Sequence, residues 1–374
     1  MRRITSLTLR NIRSYETFDE KLSGRSVVIT GPNGAGKTNL LEALTLFGAG
    51  RGLRGARLSD IVRQGSEGVA GAGLTLAGGD DADEPVRLTV SIPPPRHDRR
   101  EVRIDGEPTR SAAALQERLR FLWLTPAMDR LFMEAPSERR KFLDRIAAAG
   151  SPRHVQDAGR FEKAMRQRTA LLEQGGHPSL LDGFENEMAE AGIALALTRR
   201  EAAQSLSAGY AALREEAFPR ATLFIEGEIE LMLAGHEPGA ATALYRERLA
   251  RNRRIDADAR RALVGPHRSD LVVVHEQKEM PARLCSTGEQ KALLIGLVLA
   301  RAAAAKERSE ASLLLLLDEI AAHLDETRRK ALAATLEKLG LQAFLTGTDK
   351  EAFTAFFPFM DHLVPGSGNA IPNA

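Results

Sequence analysis

Residues 26–38 read SVVITGPNGAGKT, and residues 39–48 continue NLLEALTLFG. Four of the first five, Val27 to Thr30, are apolar or β-branched, and the run predicts a buried strand. The strand runs straight into Gly31-Pro32-Asn33-Gly34-Ala35-Gly36-Lys37-Thr38, which fits the phosphate-loop pattern in full. Beyond Lys37 the spacing turns helical: Leu40, Leu41, Leu44 and Phe47 fall on one stripe, and Gly48 supplies a stop. Strand, glycine-rich loop and helix are what such a loop needs. Glycines let backbone N–H groups turn in around phosphate oxygens, and the helix puts its positive end under them. Lys37 is a point charge for β and γ phosphates, and the Thr38 hydroxyl is a candidate ligand of Mg²⁺. The expected ligand is ATP.

Two further segments complete a nucleotide machine. Leu313–Leu317 is an apolar strand ending in Asp318-Glu319. Asp318 is expected to hold Mg²⁺ through water, and Glu319 to orient the attacking water. Ser286-Thr287-Gly288-Glu289-Gln290 precedes a long apolar helix over 291–304. A hydroxyl and an open backbone at a helix start can accept an anion, and the same residues serve equally as an ordinary N-cap.

The rest of the chain predicts an antiparallel β subdomain and a helical lobe. Ile4–Leu9 reads as a strand. From about 68 to 110, short apolar runs alternate with turn-formers such as 78–81, 93–95 and 105–106. Phe121–Thr125 is another apolar run, ending at Pro126. Residues 127–262 are predominantly helical in pattern, with a second long helix over 180–217. In the first long helix Val155, Ala158, Phe161, Met165 and Leu172 form the expected apolar stripe, with Arg160, Lys163, Arg166 and Arg168 off it. The expected division is an ATPase lobe over 1–126 and 263–374 with an inserted helical lobe over 127–262. Residues 365–374 read as a loose tail.

Composition narrows the class. The chain has 374 residues, 43% hydrophobic and 27% charged, with 52 basic against 50 acidic side chains. That balance does not declare a nucleic-acid binder. Aromatics are 5%, with Trp123 the sole tryptophan, against rows of stacked bases. Cys285 is the only cysteine, so no intrachain disulfide forms and a reducing cytoplasm fits. No apolar run approaches a membrane span, and residues 1–10 lack a signal-peptide core.

In order, the phosphate loop, Ser286–Gly288, Asp318-Glu319 and Leu324-Asp325 resemble the ABC-type ATPases. The resemblance implies that Ser286, Thr287 and Gly288 complete the ATP site of the opposite protomer in a head-to-head homodimer, with Asp325 in the loop crossing that interface. Transport ATPases, the rival reading, keep the phosphate loop and the signature segment much closer. They also usually carry a histidine after the last core strand. Here that strand is expected at Leu341–Leu345, followed by Thr346-Gly347-Thr348. His323 is read as a loop residue.

Pro126 followed by Arg139-Arg140-Lys141-Phe142-Leu143-Asp144, and Leu263–Leu271 (LVGPHRSDL), resemble the two signatures of the RecF family. The opening with Leu7, Leu9, Asn11, Arg13 and Tyr15 is similar too. Glu134-Ala135 stands where that family commonly has glycines. The resemblance implies an α/β, ABC/SMC-head-like P-loop ATPase. Its role would lie in recombinational DNA repair and replication-fork maintenance, binding DNA and acting with RecO and RecR to load RecA. Such proteins are linked to the SOS response, and weak ATP hydrolysis is expected to open the dimer. Arg139–Lys141 either begin a solvated helix or touch phosphate. Arg268 beside Asp270 reads as an internal ion pair in preference to a DNA contact. Arg13 is carried as a candidate nucleotide neighbour.

Overall fold

The computed structural model describes residues 2–366 apart from 49, 79–83, 96, 110–111, 214–216 and 309–311, with backbone alone at 112–113, 307–308 and 322–323. The tail expected over 365–374 lies almost wholly outside the described residues, as do the glycine-aspartate turn around 79–83 and the side chain of His323. In chain order the strands are β1 (Arg3–Ile12), β2 (Tyr15–Lys21), β3 (Ser26–Thr30), β4 (Ala70–Ala77), β5 (Val86–Ile92), β6 (Glu101–Ile104), β7 (Glu107–Thr109), β8 (Leu119–Leu124), β9 (Ala221–Glu226), β10 (Asp270–His275), β11 (Met280–Pro281), β12 (Ser312–Leu317), β13 (Ala343–Gly347) and β14 (Met360–Leu363). They fall into two compact units.

The first unit comprises Met1–Asp129, Gly209–Phe218 and Val298–Ala374. It holds an antiparallel sheet in the order β2-β1-β4-β5-β6-β7 and a parallel sheet in the order β14-β3-β13-β12-β8. Burial follows the sequence pattern. Strand β4 alternates buried and half-buried residues, as one face of an antiparallel sheet does. Strands β3, β12 and β13 are buried on both faces, which is why their sequences are largely apolar and do not alternate. One core takes Leu7 and Leu9 from β1, Leu40, Leu41 and Leu44 from the helix Lys37–Thr45, and Leu314, Leu316 and Phe344 from the parallel sheet. Gln342 is a buried polar staple in it. Its Oε1 accepts the Ile4 N–H at 2.7 Å, and its Nε2 donates to Ile4 O at 2.9 Å and Arg25 O at 3.0 Å.

The strand expected at Leu341–Leu345 is Ala343–Gly347, and it is not the last one. Met360–Leu363 adds β14 beside β3 and brings in His362. Four residues, Met-Asp-His-Leu, are too short a run for periodicity to announce, and pairing with β3 fixes them as a strand.

The second unit comprises Arg130–Ala208 and Pro219–Leu297. Helices Pro136–Gly150, Pro152–Glu173, Pro178–Leu213 (up to Ala208), Glu228–Gly235, Pro238–Arg251 and Arg253–Ala259 accompany the small sheet β11-β10-β9. Phe161, Met188, Ile193, Ile229, Tyr245 and Leu249 share its core.

Here one expectation is overturned. Arg168 is fully buried, not off the apolar face. The buried positions of Pro152–Glu173 are His154, Asp157, Phe161, Ala164 and Arg168, and Arg168 stands seven residues from Phe161, on the same side of the helix. Its Nε donates to Glu185 Oε1 at 2.9 Å, NH1 to Asp256 Oδ2 at 2.7 Å and NH2 to Leu249 O at 2.8 Å. Nε, NH1 and NH2 each have an acceptor, which is the condition for keeping a guanidinium inside.

Candidate nucleotide site

Strand β3 delivers the chain to Gly31, and the turn that follows needs a left-handed backbone at Gly34 (φ 83°) and Gly36 (φ 90°). Gly36 is the N-cap of the helix Lys37–Thr45, and no side chain caps it. Its first-turn N–H groups are therefore left for an external acceptor. Space is as restrictive as dihedral angle. A Cβ at Gly36 would lie 2.5 Å from the Tyr15 hydroxyl and 3.0 Å from Ser14 Oγ. That hydroxyl is buried and has no partner among the described residues. Burial raises its pKa to about 12, so it stays a donor at neutral pH. An unpaired donor beside uncapped N–H groups fits an acceptor-rich ligand such as a polyphosphate.

Lys37 is folded back over its own loop. Its Nζ donates to Gly31 O at 2.9 Å and Pro32 O at 3.1 Å, and lies 3.4 Å from Glu319 Oε1. Only 5% of the lysine side chain is exposed. The carboxylates arrive on β12, which is separated from β3 by β13 alone. Thr38 Oγ1 donates to Asp318 Oδ1 at 2.9 Å. Thr346, on β13 between them, donates to the same Asp318 oxygen at 2.7 Å and accepts the Glu319 N–H at 2.8 Å. Glu319 sits at φ 50°, an uncommon angle for a side-chain-bearing residue. The turn lifts it out of the strand, so Asp318 is buried while Glu319 remains half-open beside Lys37. Thus Lys37, Thr38, Asp318 and Glu319 converge. Thr38 and Asp318 are oxygen donors of the hard type that suits Mg²⁺.

Three neighbours are not legible in the sequence. Thr346 reads there as an ordinary strand-end residue. Glu42, 1% exposed, accepts a two-pronged ion pair from Arg13 at 2.7 and 2.9 Å and a contact from Arg54 at 3.4 Å. In this structure Arg13 is therefore committed to a carboxylate. His362 Nε2 lies 2.7 Å from Thr30 Oγ1, directly below the loop. Burial, helped by Lys350, lowers the His362 pKa, so its ring is neutral at physiological pH.

Ser286, Thr287 and Gly288 belong to the second unit, at the start of the helix Thr287–Arg308. Ser286 N and Oγ both donate to Glu289 Oε2 at 2.9 Å, while Gln290 Nε2 ties back to Cys285 O at 2.9 Å. Asp325 caps the next helix, accepting the Arg328 N–H at 2.8 Å.

The two RecF-like segments grip each other within the second unit. Arg139 makes a two-pronged pair with Asp270, Nε to Oδ1 at 2.8 Å and NH2 to Oδ2 at 2.6 Å. Asp270 is thus paired with Arg139 and not with its sequence neighbour Arg268, which the turn Pro266–Arg268 carries before β10 begins. Arg140 donates to Ser269 O at 2.7 Å, and Lys141 stays exposed, paired with Glu138. Asp144 takes Arg199 Nε at 2.7 Å and lies 3.0 Å from His154 Nε2. Arg199 also reaches Pro266 O at 2.6 Å. Ala135 is extended (φ −62°, ψ 154°), so no glycine is required in that turn.

The RecF/RecN/SMC N terminal domain family model matches residues 3–361. A "DNA replication and repair protein RecF" of Allorhizobium ampelinum is 46% identical over 367 residues, covering 94% of both chains. The chain belongs to the RecF family. Its fold is similar to that of the recombination mediator protein RecF solved as RecF-ATPrS in the RecFOR pathway, with a TM-score of 0.83 at 22% identity over 99% of this chain and 97% of that one. It is also similar to an Smc head domain from Pyrococcus furiosus, with a TM-score of 0.53 at 16% identity over 99% and 95%. RecF membership favours the repair reading over the transport one, since these relatives carry a replication and repair name. No helix among the described residues is long and apolar enough to cross a membrane.

Proposed function

We propose that this chain is an ATP-dependent DNA-binding protein of recombinational repair and replication-fork maintenance. In this reading it dimerises on ATP and works with RecO and RecR, in the cytoplasm, to load the recombinase during the response to DNA damage. The observation carrying the ATP part is the convergence of Lys37, Thr38, Asp318 and Glu319 through the shared hydroxyl of Thr346. RecF family membership carries the DNA part, supported by relatives named for replication and repair and by a RecF solved as RecF-ATPrS in the RecFOR pathway.

The residues would act as follows. Gly31–Thr38 wraps the phosphates with N–H groups, and Lys37 exchanges two carbonyls and the Glu319 carboxylate for the β and γ phosphates. Mg²⁺, held by Thr38 and Asp318, would supply charge neutralisation at those oxygens. Glu319, freed of Lys37, orients water and accepts its proton. Ser286, Thr287 and Gly288 of a second copy close over the phosphate. Hydrolysis removes the bridging group and lets the copies part. The ATPase elements would then come from 1–126 and 263–374, with 127–262 as an inserted helical lobe.

The test is binding to linear and gapped duplex DNA with and without ATP across a salt series. ATP should tighten binding, with log K falling at a slope of about −0.9 per phosphate neutralised and little sequence preference. Binding indifferent to both ATP and salt would overturn the reading.

A further inference from the structure

We propose that Lys278 and Glu289 form a charge-compensated latch that decides whether the Ser286 hydroxyl is available to a phosphate. The inference rests on the reading that Ser286 completes the site of a second copy.

A serine hydroxyl has one proton to donate. Here it goes to Glu289 Oε2 at 2.9 Å, and the same carboxylate oxygen takes the Ser286 N–H at 2.9 Å. A phosphate oxygen is also an acceptor. It can engage Ser286 only if that proton turns away from Glu289. The backbone around this switch is already set. Gln290 is buried and fixes the turn from inside, while outside a Cβ at Gly288 would meet nothing within 4 Å. The approach is therefore open to a ligand, and the local obstacle is electrostatic, because a carboxylate stands where a polyanion would arrive.

Lys278 answers that charge. It comes from the turn Glu276–Lys278 after β10, and its Nζ pairs with Glu289 Oε1, the oxygen not used by Ser286. The pairing leaves each carboxylate oxygen with its own partner. It also leaves a cation beside the position of the incoming phosphate. The Lys278 and Ser286 contacts together hold Glu289 ionised, with its pKa lowered to about 2. A helix N-cap needs only the Ser286–Glu289 half, and glutamine would serve it equally. Lys278 is superfluous to capping, so its role can be separated from a structural one.

The experiment is sedimentation of the full chain over a range of protein concentrations with and without ATP, alongside ATP binding by the monomer. Lys278→Met should leave monomer binding unchanged and weaken the ATP-dependent dimer by about fivefold or more, the scale of one uncompensated charge at an exposed contact. Glu289→Gln should dimerise at least as well as the unaltered chain. Lys278→Met combined with Glu289→Gln should regain what Lys278→Met lost, because the charge needing compensation is gone. A Lys278→Met dimer as tight as the unaltered one would overturn the latch, as would a double variant no better than Lys278→Met. Lys278→Gln, which keeps a polar end, stands in if the Met variant is unstable. Ser286→Arg separates the two levels. If it dimerises normally, the underlying site reading fails. If it stays monomeric while Lys278→Met is unaffected, only the latch fails.

Discussion

Thr346 holds Asp318 from the neighbouring strand: its hydroxyl donates to Asp318 Oδ1 at 2.7 Å, the oxygen that Thr38 also reaches at 2.9 Å. The same hydroxyl accepts the Glu319 N–H at 2.8 Å. One fully buried side chain thus fixes both carboxylates relative to the phosphate loop. Thr346→Val keeps the shape and removes the hydroxyl. Leaving a buried N–H and a carboxylate oxygen one partner short costs about 1–3 kcal/mol. ATP should still bind, with hydrolysis reduced more than affinity. Equal turnover in steady-state assays would show that Thr346 does not position the pair.

Glu319 is the group left beside Lys37 with an exposed edge. Glu319→Gln removes the proton acceptor and keeps the shape. Hydrolysis should fall by about a hundredfold or more. The ATP-bound dimer should persist on DNA, and dissociation on dilution, measured by fluorescence, would report it. Dissociation as fast as in the unaltered chain would mean that Glu319 does not place the attacking water.

Arg168 marks a stability centre and not a DNA contact. Its guanidinium lies between Glu185 and Asp256, both 1% exposed. Arg168→Met leaves buried Asp256 without its cation, while Glu185 keeps Arg253, and should cost about 3–5 kcal/mol in urea unfolding. Where folded protein is recovered, the salt slope of DNA binding should be unchanged. A slope reduced by about one would instead make Arg168 a phosphate contact.

Asp144 gives the second unit a pH dependence. Burial raises its pKa, but Arg199 and the His154 hydrogen bond outweigh that and hold it down at about 2. The folded value lies below the ordinary one, so the contribution to stability is present above about pH 4. It is lost as pH falls from there towards 2. Chemical unfolding at pH 6, 4 and 3 should show a steeper decline for the unaltered chain than for Asp144→Asn. Parallel declines would mean that the carboxylate gains nothing from Arg199 in the folded state.

Much of the fold and of the candidate site is legible in the sequence. The phosphate loop and the Asp318-Glu319 strand end are local: each is a short run in which strand, turn and helix chemistry agree. The alternation of β4 and β5 and the unbroken apolar run of β12 likewise declare their sheets. What escapes is pairwise and distant. Asp270 pairs with Arg139 in place of Arg268, and Gln342 spans the core to Ile4. Neither choice leaves a mark on local spacing. Arg168 escapes for a different reason. Charge places it on the wet side of its helix, whereas its spacing from Phe161 places it inside, and only buried partners on other elements can settle such a conflict. Thr346 is silent because its role depends on β13 lying between β3 and β12.

The central claim is that ATP completes a site from two copies of the chain. Sedimentation with ATP of the unaltered protein, Lys37→Ala and Ser286→Arg tests it most directly, with ATP binding measured on the same samples. Lys37→Ala should lose nucleotide and remain monomeric. Ser286→Arg should bind ATP as a monomer yet fail to dimerise, while the unaltered chain dimerises. A Ser286→Arg protein that dimerises on ATP as readily as the unaltered chain would contradict the account.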